Sequence, residues 1–395
     1  MKIFTCISAT FLAAVLSGTA SCNPLYKING YGDVQTEVYR IIDTVKAKHR
    51  ASLGDSGCTA DNIVYRREYG SLSKAERLDY VNAVKCLQAL PARTPAHVSD
   101  GTRSRFDDFV FVHLQRTLDI HYTGNFQHWH RWFVHLYEKA LRDECGYKGY
   151  QPYWDWPKYA DAPQDSPIFN GDPYSLGGNG EYIPDHNGSV ITRPGQPDPI
   201  QLPPGLGGGF VKTGPFADMT VNLGPVNGIS GAEPGPDGGK GYNPRGLRRD
   251  VGPALNQRFA NYTTVLGLLS KSNITEYRAL SEGDVDTDEL GPHGGGHYVI
   301  NGDPGGDLYI SPGDPAFWVH HGMMDRMWTL WQAMDPEVRN MQMDDGLYGH
   351  ITWANEPGSR FASLDDVIDM GYAGPSTTLG KVASTTLGEL CYFYD

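Results

Sequence analysis

Histidines fall into two ordered clusters, and gathering them constrains the fold more than any other feature of the chain. His113 precedes His121 by eight residues, and His130 follows nine later in NFQHWHRWF. Far along the chain, GPHGGGHYVI holds His293 and His297 four apart, and DPAFWVHHGMMDRMW holds His320 and His321. Residues four apart on a helix share one face, so His293 and His297 can converge on one ion. Three intervening glycines each disfavour a helix by roughly 1 kcal/mol, which leaves a glycine-rich loop equally open. The pair lacks the glutamate of HExxH, so a zinc peptidase would have no general base there. Sets of three imidazoles suit copper or zinc better than calcium, magnesium or manganese, and imidazole alone does not choose between the first two. Asp107 and Asp108, near His113, are candidate acceptors for orienting imidazole rings.

Helical periodicity surrounds both clusters. SKAERLDYVNAVKCLQAL, from Ser73 to Leu90, predicts a helix with Leu78, Val81, Val84 and Leu87 on one face and Ser71 or Ser73 as its N-cap. Helical spacing returns from Phe106 to Leu118, from Trp129 to Arg142, between Pro253 and Leu280, and from Pro315 to Met334. From about Tyr150 to Tyr242 the chain is dense in Gly, Pro, Asn and Asp, which predicts a long irregular excursion from one helical core.

The basic start, the apolar run Ile3 to Leu16 and the small residues to Ala20 describe a secretory signal peptide over residues 1–20, cleaved near Ala20 or Cys22. Length allows one large domain or two small ones, and residues 21–395 are expected to form a single domain because the two histidine regions must come together. No later segment is long and apolar enough to span a bilayer. A formal charge of −13 argues against nucleic acid or an anionic membrane as partner. Cys58, Cys86, Cys145 and Cys391 would pair as two disulfides in an oxidising compartment. Pairing Cys58 with Cys391 would tie the C-terminus to the start of the domain, and Cys86 with Cys145 would brace the first helical half, but the sequence does not fix connectivity. The sequons at Asn187, Asn261 and Asn273 fit a secreted glycoprotein.

These stretches resemble the two copper-binding regions of type-3 copper proteins, specifically the short fungal tyrosinases and polyphenol oxidases. The likeness covers most of the mature chain, from YRREYGSLSKAERLDYVNAVKCLQALP through DDFVFVHLQRTLDIHYTGNFQHWHRWF to HGGGH and DPAFWVHHGMMDRMW. It implies a mainly α fold, with a four-helix core holding a binuclear copper site, long irregular loops and a few short strands. It implies two copper ions, one held by His113, His121 and His130, the other by His293, His297 and His321. His321 lies four residues after Phe317, which stands where the family has a phenylalanine packed over the site, so the resemblance implies that His320 is a neighbour of the ligands. His121 is expected off the helices. His128 and His135 match no ligand position and are read as surface or core residues. His49, His97, His186 and His350 are read as surface.

The implied activity is oxidation of o-diphenols to o-quinones with O₂, acting on small phenols. Phe317 and Tyr298 are candidate substrate contacts, Tyr298 shaping the entrance and Leu308 lining the pocket. Asp119 stands where some members carry a cysteine that forms a thioether to the second ligand, so none forms here. Gly294 stands where tyrosinases that hydroxylate monophenols often carry asparagine, which with a glutamate holds a water. Weak monophenol hydroxylation is therefore expected, with Glu282 or Asp284 as the glutamate's stand-in. Tyr392, Phe393 and Tyr394 resemble the motif closing the family's catalytic core, with Arg66 or Arg67 stacking near it. No C-terminal shielding domain is expected. The alternatives are an O₂ carrier resembling haemocyanin and a zinc hydrolase.

Overall fold

The computed structural model describes residues 31–54, 57–191, 199–226, 232–285 and 287–395. The expected signal peptide and Cys22 lie outside the described residues.

The fold is mainly α, as expected, and its helices begin with one that the histidine patterns do not announce. α1 (Tyr31–Ser52) buries Val34, Val38, Ile42 and Val45. Those positions recur at helical spacing and pack on the second half of the chain, against α6 (Tyr262–Leu269) and α9 (Ala316–Met334). α2 (Lys74–Ala89) starts at a capping box: the Ser73 hydroxyl accepts from the Glu76 amide, and Glu76 accepts from the Ser73 amide at 2.8 Å. Its buried face is Tyr80, Val81, Ala83, Val84 and Leu87, whereas Leu78 is exposed. A strict three-residue step lags the helical turn, so a run taken at that step winds off the buried face.

α3 (Arg105–Ile120) and α4 (Phe126–Cys145) follow, α4 stopping at Gly146 in the left-handed conformation, φ 72°. The span from Pro253 to Leu280 is three short helices: α5 (Pro253–Phe259), α6 and α7 (Ile274–Glu282). α8 (Gly291–Ile300) contains HGGGH as a helix, and α10 (Pro336–Arg339) follows α9. α3 packs on α4, α4 on α9 and α9 on α8, which makes the four-helix core.

Ten short strands form five two-stranded ribbons among the described residues. β1 (Val64–Arg66) pairs in parallel with β10 (Tyr392–Tyr394), joining the last strand to the segment after α1. The long excursion carries β2 (Gly180–Tyr182) on β5 (Gly208–Val211), β3 (Ser189–Ile191) on β4 (Ile200–Leu202), and β6 (Thr220–Val221) on β7 (Arg245–Gly246). β8 (Val367–Ile368) pairs with β9 (Thr377–Thr378). Arg249, just past the excursion, ties it to the segment before α9: it donates to Gly178 O at 3.2 Å and forms a fully buried bidentate pair with Asp314 at 2.8 and 2.6 Å.

The four cysteines form two disulfides, and the structure decides the connectivity that the sequence left open. Cys58–Cys391 ties the C-terminal strand to the start of the domain, and Cys86–Cys145 joins α2 to the end of α4. Arg66, not Arg67, meets the closing motif: its guanidinium lies 3.6 Å from the Tyr392 ring centre and donates to Tyr394 Oη at 3.0 Å. Arg67 lies at the surface, paired with Glu76. Asp325 accepts from both tyrosine hydroxyls and from Arg131, so the charges buried here are paired. One hydrophobic core runs from Val34 to Tyr394.

Candidate metal centre

Periodicity puts His113 on α3, His130 on α4, His293 and His297 on α8, and His321 on α9, while His121 is the C-cap of α3, off the helix as expected. The structure gathers them into two buried groups, His113 with His121 and His130, and His293 with His297 and His321. Within each group the candidate ligand nitrogens lie within 4.8 Å of one another. The groups meet face to face: His130 stacks on His321 at 4.5 Å and His121 on His293 at 5.4 Å between ring centres.

Each ring of the first group is fixed by a backbone carbonyl. Nδ1 of His113 donates to Tyr309 O (2.9 Å), that of His121 to Thr117 O (2.8 Å) and that of His130 to Phe126 O (2.8 Å). That tautomer leaves the Nε2 lone pairs of all three buried with no hydrogen-bond partner among the described residues. A buried acceptor left without a partner is costly, and a cation bound to all three removes the cost. Asp107 and Asp108, the acceptors expected from sequence, instead serve the backbone: Asp107 takes the Arg103 and Ser104 amides, Asp108 those of Arg93 and Thr94.

The second group is held differently. Its Nε2 atoms converge, that of His297 lying 3.2 Å from His293's and 3.1 Å from His321's. Nδ1 of His297 and of His321 has no partner among the described residues, so stacking does the orienting. Phe317 lies on His321 at 4.1 Å and 25° and approaches the His297 ring at 5.6 Å. It is 1 % exposed, so in this structure its ring supports the histidines and does not face solvent. His320 is kept out of the group because both its nitrogens are used: Nδ1 accepts from Trp156 Nε1 (3.1 Å) and Nε2 donates to His293 O (3.0 Å).

Burial drives the basicity of all six rings down. It holds His121 at about 4 and the other five well below the ordinary imidazole range, neighbouring histidines adding to the effect for those five. Neutral imidazole is the form that binds a metal. Three neutral nitrogens on each side, with no carboxylate in either group, fit two copper ions better than hard, oxygen-seeking cations.

The remaining candidates fall around this centre. Gly294 follows His293 on α8, and a Cβ there would meet only Leu290, at 3.2 Å. Tyr298 is half-buried, one residue past His297. Leu308 packs on a small cluster of Val285, Tyr348 and Trp353 together with Tyr122, the residue after His121. Asp119 turns to the surface near Arg116. Asp284 is exposed, and Glu282 is buried in an ion pair with Arg278. His128 is a core residue against Trp328, and His135 stacks on Trp132. Of the four histidines read as surface only His97 is exposed; His49, His186 and His350 are half-buried, because His49 and His350 stack on Phe393 and Phe361 and His186 meets Asp250. Sequence reasoning missed the Trp156 contact that occupies His320 and the Tyr122, Tyr348 and Trp353 cluster. An aromatic-rich stretch such as YQPYWDW was the available signal for the first.

A family model described as the common central domain of tyrosinase matches residues 103–334. The tyrosinase-like protein orsC of Emericella nidulans is 43% identical over 321 residues, covering 78% of this chain and 85% of that protein. Tyrosinase P of Aspergillus terreus is 37% identical over 364 residues, covering 90% and 99%. A solved structure of a polyphenol oxidase mutant from Thermothelomyces thermophila is similar with a TM-score of 0.85 and 63% sequence identity, covering 92% of this chain and 97% of that one.

Proposed function

We propose, from the premise that this chain belongs to the tyrosinase family, that it is a secreted oxidase which turns o-diphenols, and substituted or methoxylated phenols, into o-quinones with O₂. His113, His121 and His130 would hold one copper and His293, His297 and His321 the other. Copper held there would supply the O₂ binding and the two-electron redox chemistry that oxidation of a catechol to a quinone requires. The observation that carries this reading is the stacking of His130 on His321, which sets two all-imidazole groups side by side.

The protein's own residues supply the geometry. Backbone carbonyls lock the first three rings with Nε2 turned inward, and Phe317 buttresses His321. Sites carried on packed helices are held more precisely than sites on loops. Tyr298 and Leu308 are the residues we assign to shaping the approach of the phenol. Gly294 offers no side chain beside His293, so no amide holds a water there to deprotonate a monophenol, and hydroxylation of monophenols is weak. Glu282 has both oxygens engaged, which also removes the placed base that a zinc hydrolase would need.

We assign residues 21–395 to one catalytic domain and the chain to the extracellular space, which suits its two disulfides. Among the described residues no helix is long and apolar enough to cross a membrane. The deciding experiment is a rate panel on the copper-loaded protein with a monophenol, a catechol and a 2-methoxyphenol. Catechol turnover well above monophenol turnover is expected. Reversible O₂ binding without turnover would instead make it a carrier.

A further inference from the structure

Five of the six histidines leave the backbone inside a helix, and His121 does not. As the C-cap of α3 it has extended torsions, φ −121° and ψ 140°, and the next residue, Tyr122, is turned into the left-handed region at φ 50°. A non-glycine residue seldom adopts that conformation unless its surroundings hold it there. What holds it is a side chain from the far half of the molecule. The Tyr122 amide donates to Glu282 Oε2 at 2.7 Å, a separation of 160 residues along the chain. The other carboxylate oxygen, Oε1, accepts from Arg278 Nε at 3.0 Å and from its Nη2.

Arg278 is itself anchored, its Nη1 donating to Tyr348 O at 2.8 Å with Asp344 3.5 Å away. Both partners are buried and stand one turn apart on α7, which packs on α8, the helix carrying His293 and His297. The far side of the turn is tied as well, Tyr122 O accepting from the Ala354 amide at 3.0 Å. One carboxylate therefore links the sole non-helical histidine of the first group to the helix beside the second group.

We infer that Glu282 is a positioning residue for the first metal site, holding the His121 turn through the Tyr122 amide. Its substitution acts first on metal retention at His113, His121 and His130, and only through that on turnover. The inference rests on reading the six histidines as copper ligands. It differs from giving Glu282 the part of a water-holding glutamate, which would alter monophenol rates and leave metal binding as it was.

The test compares copper-loaded wild type with Glu282→Ala and Glu282→Gln, following copper per chain during challenge with a chelator, alongside thermal unfolding. In Glu282→Ala the first-site copper should be held about 10–100-fold more weakly and leave first, with about one copper per chain remaining. Glu282→Gln keeps a carbonyl for the Tyr122 amide and should fall between Ala and wild type. Release of both coppers from Glu282→Ala at the wild-type rate would overturn the inference, as would loss of both together in step with a lowered unfolding temperature. Should Glu282→Ala not fold, release from Glu282→Gln indistinguishable from wild type overturns it equally. Wild-type protein that takes up no copper would instead sink the reading beneath it.

Discussion

The three glycines between His293 and His297 have different neighbours, and their substitution should have different costs. A Cβ on Gly295 would overlap Phe259 of α5, and one on Gly296 would overlap the His320 ring, so these two let α8 approach its neighbours. Gly294 meets only Leu290, so a side chain there needs little adjustment. We predict that Gly295→Ala and Gly296→Ala each destabilise the fold by about 1–3 kcal/mol through overpacking, measured by thermal or denaturant unfolding. Gly294→Asn should fold normally and raise monophenol hydroxylation relative to catechol oxidation. An unchanged ratio would remove the support for the water-positioning argument. The spacing of the two histidines was legible in the sequence, but the reason for the glycines was not. Their packing partners lie in separate helices, and taken alone the run suited a loop equally well. Ring orientation was misread for a related reason. Asp107 and Asp108 are conspicuous near His113, whereas the carbonyls of Tyr309, Thr117 and Phe126 that do the work carry no signature, since every residue has one.

Helices around the centre were legible wherever apolar periodicity and a cap coincided. Ser73 and Glu76 give α2 its start, and Ser73→Ala should cost about 1 kcal/mol in unfolding experiments. α1 carries the same apolar pattern at Val34, Val38, Ile42 and Val45 but holds none of the six histidines, so fewer sequence signals mark it. Caps also separate the three sequons. Asn261 and Asn273 are N-caps of α6 and α7, accepting from the Thr264 and Glu276 amides, and the Asn261 amide nitrogen further donates to Gln257 O. Asn187 is exposed and caps no helix. Glycan occupancy on protein expressed through the secretory route of a host cell should therefore be highest at Asn187 by peptide mass mapping. Full occupancy at Asn261 with none at Asn187 would contradict this.

At the scale of the molecule, the last described strand is fixed to the segment that follows α1. Cys58–Cys391 spans 333 residues of chain and β1 pairs with β10, so the core is complete only when the last strand is in place. Replacing both cysteines by serine should lower stability by about 2–5 kcal/mol. His49, on α1, stacks on Phe393 of β10 at 3.8 Å, and burial lowers it to about 4. An unfolded histidine titrates near 6.5, so between about pH 6.5 and 4 the unfolded chain binds the extra proton. The stability contributed by neutral His49 is thus complete above that window and is lost as pH falls through it. His49→Phe, which keeps the stack without the titration, should show a shallower fall of melting temperature between pH 7 and 4 than wild type. Equal slopes would show that other groups set the acid response. The most direct test of the account is copper per chain by elemental analysis of wild type, His130→Ala and His321→Ala. Two copper ions in wild type, with each substitution weakening one site, is the predicted result; protein that binds zinc alone, or copper indifferent to both substitutions, would contradict it.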